Sequence, residues 1–170
     1  CIINDAGKST PVIPKIEKPE AMQNLEKIID TFDGILVARG DLGVETHINE
    51  LPVLQKQIVN MCLFKRKPVI IATQMLESMI HNPAPTRAEV NDIANAIYDR
   101  ADTVMLSGET AVGSYPFEAV KMMEGICSTV ERDFDTINFN LITERQKLNS
   151  RDNVESICHA AMMMAEDLGI

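Results

Sequence analysis

Short apolar runs alternate with helical periodicity along most of this chain. Ile35-Leu36-Val37-Ala38 is too short for a helix and is bounded by Gly34 and Gly40, which predicts a strand buried on both faces. Val69-Ile70-Ile71-Ala72, after Pro68, is a second run of this kind, and Ala101 to Leu106 holds another. A weaker strand is predicted where Pro11-Val12-Ile13-Pro14 leads into Lys15-Ile16-Glu17. Pro14 has no N–H for a ladder, so this strand belongs at an edge or a bulge.

Between the runs the apolar spacing switches to three and four. Ala21, Met22, Leu25, Ile28 and Ile29 predict a helix over about 20–30. Leu51, Leu54, Ile58, Met61 and Cys62 predict another, begun near Pro52 and closed by the cations Lys65-Arg66-Lys67 at the negative end of its dipole. Met75 to Ile80 makes a helical turn or two, stopped by Asn82-Pro83-Ala84-Pro85. Thr86 with Glu89 three residues on reads as a capping box, opening a helix that buries Val90, Ile93, Ala94 and Ile97. A helix over about 116–132 follows on Phe117, Val120, Met123, Ile126, Cys127 and Val130. Residues 133–152 are polar and aperiodic, which predicts a linker. The last helix starts near Asp152 or Asn153, turns Val154, Ile157, Ala161, Met164 and Leu168 inward, and ends at Gly169.

The strand ends fall near 15, 41, 73 and 107, about 26 to 34 residues apart, each gap holding one or two helices. That is the rhythm of βα units in a parallel sheet. The fold class is therefore α/β, with four units forming half of an eight-stranded barrel or part of an open doubly wound sheet. Spacing does not choose between these. In both, the carboxyl ends of the strands converge on one face, where active sites lie.

Those ends carry Lys15 and Glu17, Arg39 and Asp41, Thr73 and Gln74, Ser107 and Glu109. Charges at the end of a buried strand are costly without partners or a ligand. Glycines 40 and 43 let backbone N–H groups approach an anion with no Cβ in the way. A lysine, carboxylates and glycine N–H groups on one rim suit a phosphorylated anion with a divalent metal. Glu17 and Asp41 supply the one or two carboxylates that Mg²⁺ takes from protein, and Lys15 meets charge developing on a phosphoryl group or enolate. Taken singly, Lys15–Glu17 and Arg39–Asp41 read better as ordinary ion pairs. Four consecutive strands ending this way favour a site.

Composition narrows the classes. The formal net charge of −9 argues against binding nucleic acid or an anionic membrane through bulk charge. The four cysteines, at 1, 62, 127 and 158, make no short pair, so zinc ligation and a disulfide framework are not expected. Cys62, Cys127 and Cys158 fall among apolar helix positions and read as reduced core thiols. His47, His81 and His159 share no ligand spacing. Neither a signal peptide nor a run of about 20 apolar residues is present, so the expectation is a soluble, intracellular chain.

At the strand ends the chain resembles the pyruvate kinase family. The residues that carry the likeness are Lys15-Ile16-Glu17, Ala38-Arg39-Gly40-Asp41-Leu42-Gly43-Val44-Glu45 and Ala72-Thr73-Gln74-Met75-Leu76-Glu77-Ser78-Met79. Pro85-Thr86-Arg87-Ala88-Glu89 and Met105-Leu106-Ser107-Gly108-Glu109-Thr110-Ala111 continue it in order. The resemblance runs from about residue 12 to 132, and more weakly to the end. It implies a (β/α)8 barrel of which these strands are the last four, over 1–132, with a linker at 133–152 and the first helix of a second, C-terminal domain at 153–170. It implies Mg²⁺ or Mn²⁺ on Glu17 and Asp41, and Lys15 assisting phosphoryl transfer from phosphoenolpyruvate to ADP to give pyruvate and ATP. Backbone N–H groups at Gly40 and Asp41, with Thr73, would hold the substrate carboxylate. Thr73, Ser107 and Glu109 would border the water network that protonates the enolate. Arg87 would lie at a subunit interface of a cytoplasmic homotetramer. The family's K⁺ ligands, most nucleotide contacts and the effector loop would lie outside these residues, so the chain reads as a fragment expected to be inactive alone.

Three other readings carry their own tests. One is another Mg²⁺-dependent barrel enzyme acting on phosphoenolpyruvate or a 2-oxo acid, a lyase or aldolase, which would turn over without nucleotide. Another is a binding module presenting Arg39-Gly40-Asp41 as an adhesion tripeptide, which needs an exposed loop. The last is a half barrel that pairs with itself or a missing half, visible by sedimentation.

Overall fold

In the computed structural model, which describes residues 5, 7, 9–146 and 153–168, the apolar runs are parallel strands. They are β1 (Lys15–Ile16), β2 (Ile35–Ala38), β3 (Val69–Ala72) and β4 (Thr103–Met105). Their order across the sheet is β1-β2-β3-β4, each strand parallel to its sequence neighbour. A doubly wound sheet reverses its order at a switch point. Strands laid down one after another in one direction make a barrel wall instead, so the open choice falls to the barrel. β1 is an edge strand, where Pro14 is tolerated, and the Pro14 carbonyl accepts from the Leu36 N–H at 3.0 Å.

Register sorts the side chains by face. Ile16, Val37, Ile71 and Val104 align across the sheet. The first three are buried in one core with Leu25, Ile29, Ile58, Val59, Cys62, Met79, Ile93 and Ala96 of the helical layer. The opposite row, Lys15, Leu36, Ile70 and Thr103, runs from exposed to half-buried. Two aspartates pin the starts of the strands. Asp33 accepts from the Val12 N–H at 2.7 Å and returns its own N–H to the Val12 carbonyl at 3.1 Å. Asp102 does the same to Val69, at 2.8 and 3.1 Å. The repeated clasp fixes the register at the end of the sheet away from the charged residues.

The helices are α1 (Pro19–Gln23), α2 (Leu25–Thr31), α3 (Arg39–Glu45), α4 (Leu51–Phe64), α5 (Arg87–Tyr98), α6 (Gly108–Ala111), α7 (Pro116–Gln146) and α8 (Asn153–Leu168). The single helix predicted over 20–30 is broken at Asn24, whose side-chain amide bonds the Glu20 carbonyl at 3.3 Å and draws its own backbone out of the helix. A 3₁₀ turn, Glu77–Ile80, takes the place of the predicted turns after Met75. The Thr86–Glu89 capping box is present. α4 and α5 both end with an arginine in the left-handed region, Arg66 at φ 55° and Arg100 at φ 70°. Lys67 and Ala101 then return their N–H groups to Cys62 and Ala96, the Schellman arrangement that usually falls to glycine.

The chain divides into two compact units, Cys1–Glu131 and Arg132–Ile170. In the first, α7 packs through Ala119, Met123, Ile126 and Val130, whereas Phe117 and Val120, predicted to be inward, are exposed. α7 is helical to Gln146, past the predicted end at 132, because no proline or glycine interrupts the chain between Gly125 and Gly169. In the second unit Ile157, Ala161, Met164 and Leu168 are exposed, not inward as their spacing predicted. Gly169 lies outside the described residues. The expectation of core thiols is met by Cys62, which is buried with its pKa pushed up by burial to about 11; Cys127 is half-buried and Cys158 exposed. Among the described residues no helix is long and apolar enough to cross a membrane.

Candidate active site at the strand ends

Alternation along β1 puts Lys15 and Glu17 on the same side of the strand end, two residues apart. The Lys15 ammonium is ion-paired to Glu17 Oε1 and stands 3.9 Å from Asp41 Oδ2. Lys15 and Asp41 are exposed, at 55% and 63%, and Glu17 is half-buried, at 35%. The hydrogen bond to Glu17 and its charge raise the Lys15 pKa, with a smaller push from Asp41. Lys15 thus bridges two carboxylates from the ends of different strands.

β2 runs straight into α3, so Arg39-Gly40-Asp41 is helical and not the exposed loop an adhesion tripeptide needs. Asp41 points to Lys15, while Arg39 turns into the core. Arg39 does not pair with Asp41: Nη1 reaches Asp92 Oδ2 on α5 at 2.6 Å, and Nη2 donates to the Thr73 carbonyl at 2.7 Å. Its Nε is buried with no hydrogen-bond partner among the described residues. Gly43 is closely packed, since a Cβ there would come 3.3 Å from a Leu51 methyl. The Gly40 N–H donates to Thr73 Oγ1 at 2.7 Å, so that donor is already engaged.

At the end of β3 the chain makes a strained turn, with Thr73 at φ 71° and Gln74 at φ 56°. A β-branched residue there is unfavourable by about 1–3 kcal/mol and persists only where its surroundings fix it. Three contacts do so: the Thr73 hydroxyl takes the Gly40 N–H, donates to the Ala72 carbonyl at 2.6 Å, and the Thr73 carbonyl is clamped by Arg39. At the end of β4, Glu109 is buried. Its Oε1 accepts from the Leu76 N–H at 3.1 Å and its Oε2 from the Ser107 N–H at 2.8 Å. One carboxylate therefore ties the loop after β3 to the loop after β4. The Ser107 residue itself is exposed.

Arg87 is exposed at the start of α5, apart from this cluster. Beneath it Glu89 accepts from the Ser78 N–H at 2.7 Å and hydroxyl at 2.6 Å, as well as from Thr86. Burial pushes the Glu89 pKa up, but the bonds from Ser78 and Thr86 outweigh it and hold the carboxyl below the usual range. Sequence reasoning missed Asp92 and the Ser78 end of the Glu89 clamp. A buried Arg39 signals that a partner exists; nothing local says that it stands 53 residues on.

The donor set suits a hard divalent cation. Glu17 and Asp41 could offer carboxylate oxygens to such a cation, and both face the Lys15 ammonium. Among the described residues no cluster of three or more His, Cys, Asp or Glu could cage a metal. That is compatible with Mg²⁺, which takes one or two carboxylates and fills its octahedron with water and substrate oxygens.

A parallel βα wall with its chemistry gathered at the carboxyl ends of consecutive strands places the chain in the class of catalytic α/β barrels. The sequence profile of the pyruvate kinase barrel domain matches residues 1–120, and the chain belongs to the pyruvate kinase family. It is 48% identical over 169 residues to a pyruvate kinase of Thermotoga maritima, covering 98% of this chain and 34% of the relative. A Mycobacterium intracellulare pyruvate kinase is 56% identical over 130 residues, 76% of this chain and 28% of that one. The crystal structure of a pyruvate kinase from Cryptosporidium parvum superposes with a TM-score of 0.84 at 42% identity, over 95% of this chain and 33% of that one. The chain thus spans about a third of the length of these relatives. The lyase or aldolase alternative is not favoured by these matches.

Proposed function

We propose that this chain carries the metal- and phosphoenolpyruvate-binding strand ends of a pyruvate kinase, an enzyme that moves the phosphoryl group of phosphoenolpyruvate to ADP. The observation that carries the proposal is the convergence of Lys15, Glu17 and Asp41 from two strand ends beside Thr73 on a third. Glu17 and Asp41 would hold Mg²⁺ or Mn²⁺, which when bound neutralises charge on the phosphoryl oxygens and orients them. Lys15 stabilises negative charge as the phosphoryl leaves the enol oxygen for the terminal phosphate of ADP. The backbone at Gly40 and Asp41 and the Thr73 hydroxyl bind the substrate carboxylate, with the Gly40–Thr73 bond exchanged for bonds to the ligand. Thr73 and Ser107 border the water that delivers a proton to the enolate carbon, and Glu109 sets both loops. The family likeness extends the reading to a K⁺ requirement met outside this chain, a subunit interface at Arg87 in a homotetramer, and a cytoplasmic location. It also supports a barrel segment over 1–132, a connection over 133–152 and a further domain from 153.

Calorimetry of Mn²⁺ or Mg²⁺ binding, with and without phosphoenolpyruvate, tests this on the chain and on Glu17→Gln and Asp41→Asn. The expected result is binding that phosphoenolpyruvate strengthens and that either substitution abolishes. Metal binding indifferent to both substitutions would contradict the assignment.

A further inference from the structure

Lys15 stands where the proposed function puts a metal ion. Its ammonium pairs with Glu17 and lies 3.9 Å from Asp41, the two carboxylates assigned to the divalent cation. Without a cation between them, two carboxylates gathered at neighbouring strand ends repel. We propose that Lys15 is a placeholder counter-ion, holding the two metal ligands together in the metal-free protein and displaced from them when a divalent cation enters. The inference rests on the metal-site reading above and deepens it.

The parts suit such an exchange. Ile16, next to Lys15, is buried and fixed in the sheet by its pairing with Val37, so the backbone beneath the lysine stays put. The Lys15 side chain is 55% exposed and hangs on a flexible four-carbon stem, free to swing where a planar, bidentate arginine would grip. An ammonium and a divalent ion cannot share the same carboxylate oxygens, and at about 4 Å their repulsion in water corresponds to roughly thirtyfold in affinity. Entry of the metal therefore drives the ammonium outward. Binding of the metal and release of the lysine become one event, which keeps a charged, flexible side chain ordered before substrate arrives.

Two measurements on the full chain test this. Mn²⁺ calorimetry compares the wild type with Lys15→Met, in the absence of substrate. A Mg²⁺ titration of the wild type follows the Lys15 side-chain methylene signals by ¹H–¹³C NMR. The expected result is Mn²⁺ binding tighter by about fivefold in Lys15→Met, the worth of the exposed ion pair that the wild type gives up, and a Lys15 signal that moves in step with Mg²⁺ occupancy. Unchanged or weaker binding by Lys15→Met, or a Lys15 signal unmoved at Mg²⁺ saturation, would overturn the placeholder while leaving the metal site standing. No metal binding by either protein would overturn the site reading and the placeholder with it.

Discussion

Around the end of β3, Arg39 from the end of β2, Thr73 and Glu109 from the end of β4 are buried or half-buried, and each bonds a backbone group of a neighbouring strand end. Around the end of β1, Glu17 and, from the end of β2, Asp41 both pair with the exposed Lys15 at the solvent-facing rim. The first region is held by contacts whose loss leaves buried groups unpaired, so it is preformed and expensive to alter. The second is held by exposed charges, each pair contributing about 0–1 kcal/mol, so it can rearrange around a ligand. The two halves of one rim thus divide the work: one fixes where the chain goes, the other exchanges ions.

Breaking the buried half has the largest expected effect. Glu109→Ala strands the N–H groups of Leu76 and Ser107, and a denaturant titration should show a loss of about 3 kcal/mol. Glu109→Gln, keeping one acceptor, should lose about half of that. Arg39→Met removes the donor to the Thr73 carbonyl and the partner of Asp92. Because Asp92 is 41% exposed and can be rehydrated, the expected cost is about 2 kcal/mol, less than for a fully buried pair. A cost under about 0.5 kcal/mol for either substitution would erase the contrast between the two ends.

Glu89 sharpens it by pH. A carboxyl held below its ordinary value adds stability that is fully present above that value, 4.5, and fades as pH falls through the lowered folded one. Melts of wild type and Glu89→Gln should differ by about 1 kcal/mol near neutral pH, as for a lost cap, and converge in acid. A gap that persists in acid would contradict this. Glu17→Gln has the smallest expected effect on stability, within about 0.5 kcal/mol, since it removes only an exposed pair. A large destabilisation there would show that the β1 end is structural.

Much of this was legible in the sequence, and for a common reason. The four strands, the capping box at Thr86 and the Cys62 core position are set by local patterning, which burial and hydrogen bonding impose on neighbouring residues. The strand order that selects a barrel is a long-range fact, invisible in spacing. The helix through 133–146 is hidden in the apolar pattern because its residues are largely polar, and only the absence of a breaker marks it. Phe117 and Val120 are exposed because the α7 stripe runs through Ala119, a small residue that carries little weight in an apolar pattern. At the strand ends the residue types were readable and their partners were not. Arg39 looks towards Asp41 in the sequence and bonds Asp92 in the fold. Thr73 gives no hint of its left-handed backbone, which bonds to Gly40, Ala72 and Arg39 sustain.

Amide hydrogen exchange on the ligand-free chain tests most directly whether the β3 and β4 ends are preformed. The amides of Gly40, Leu76 and Ser107, each bonded to Thr73 or Glu109, should exchange nearly as slowly as the core strand amides of Ile35 and Leu36. Exchange at the rates of open loops would mean that this rim is assembled only by ligand, and the division between a fixed and an exchangeable half would fall.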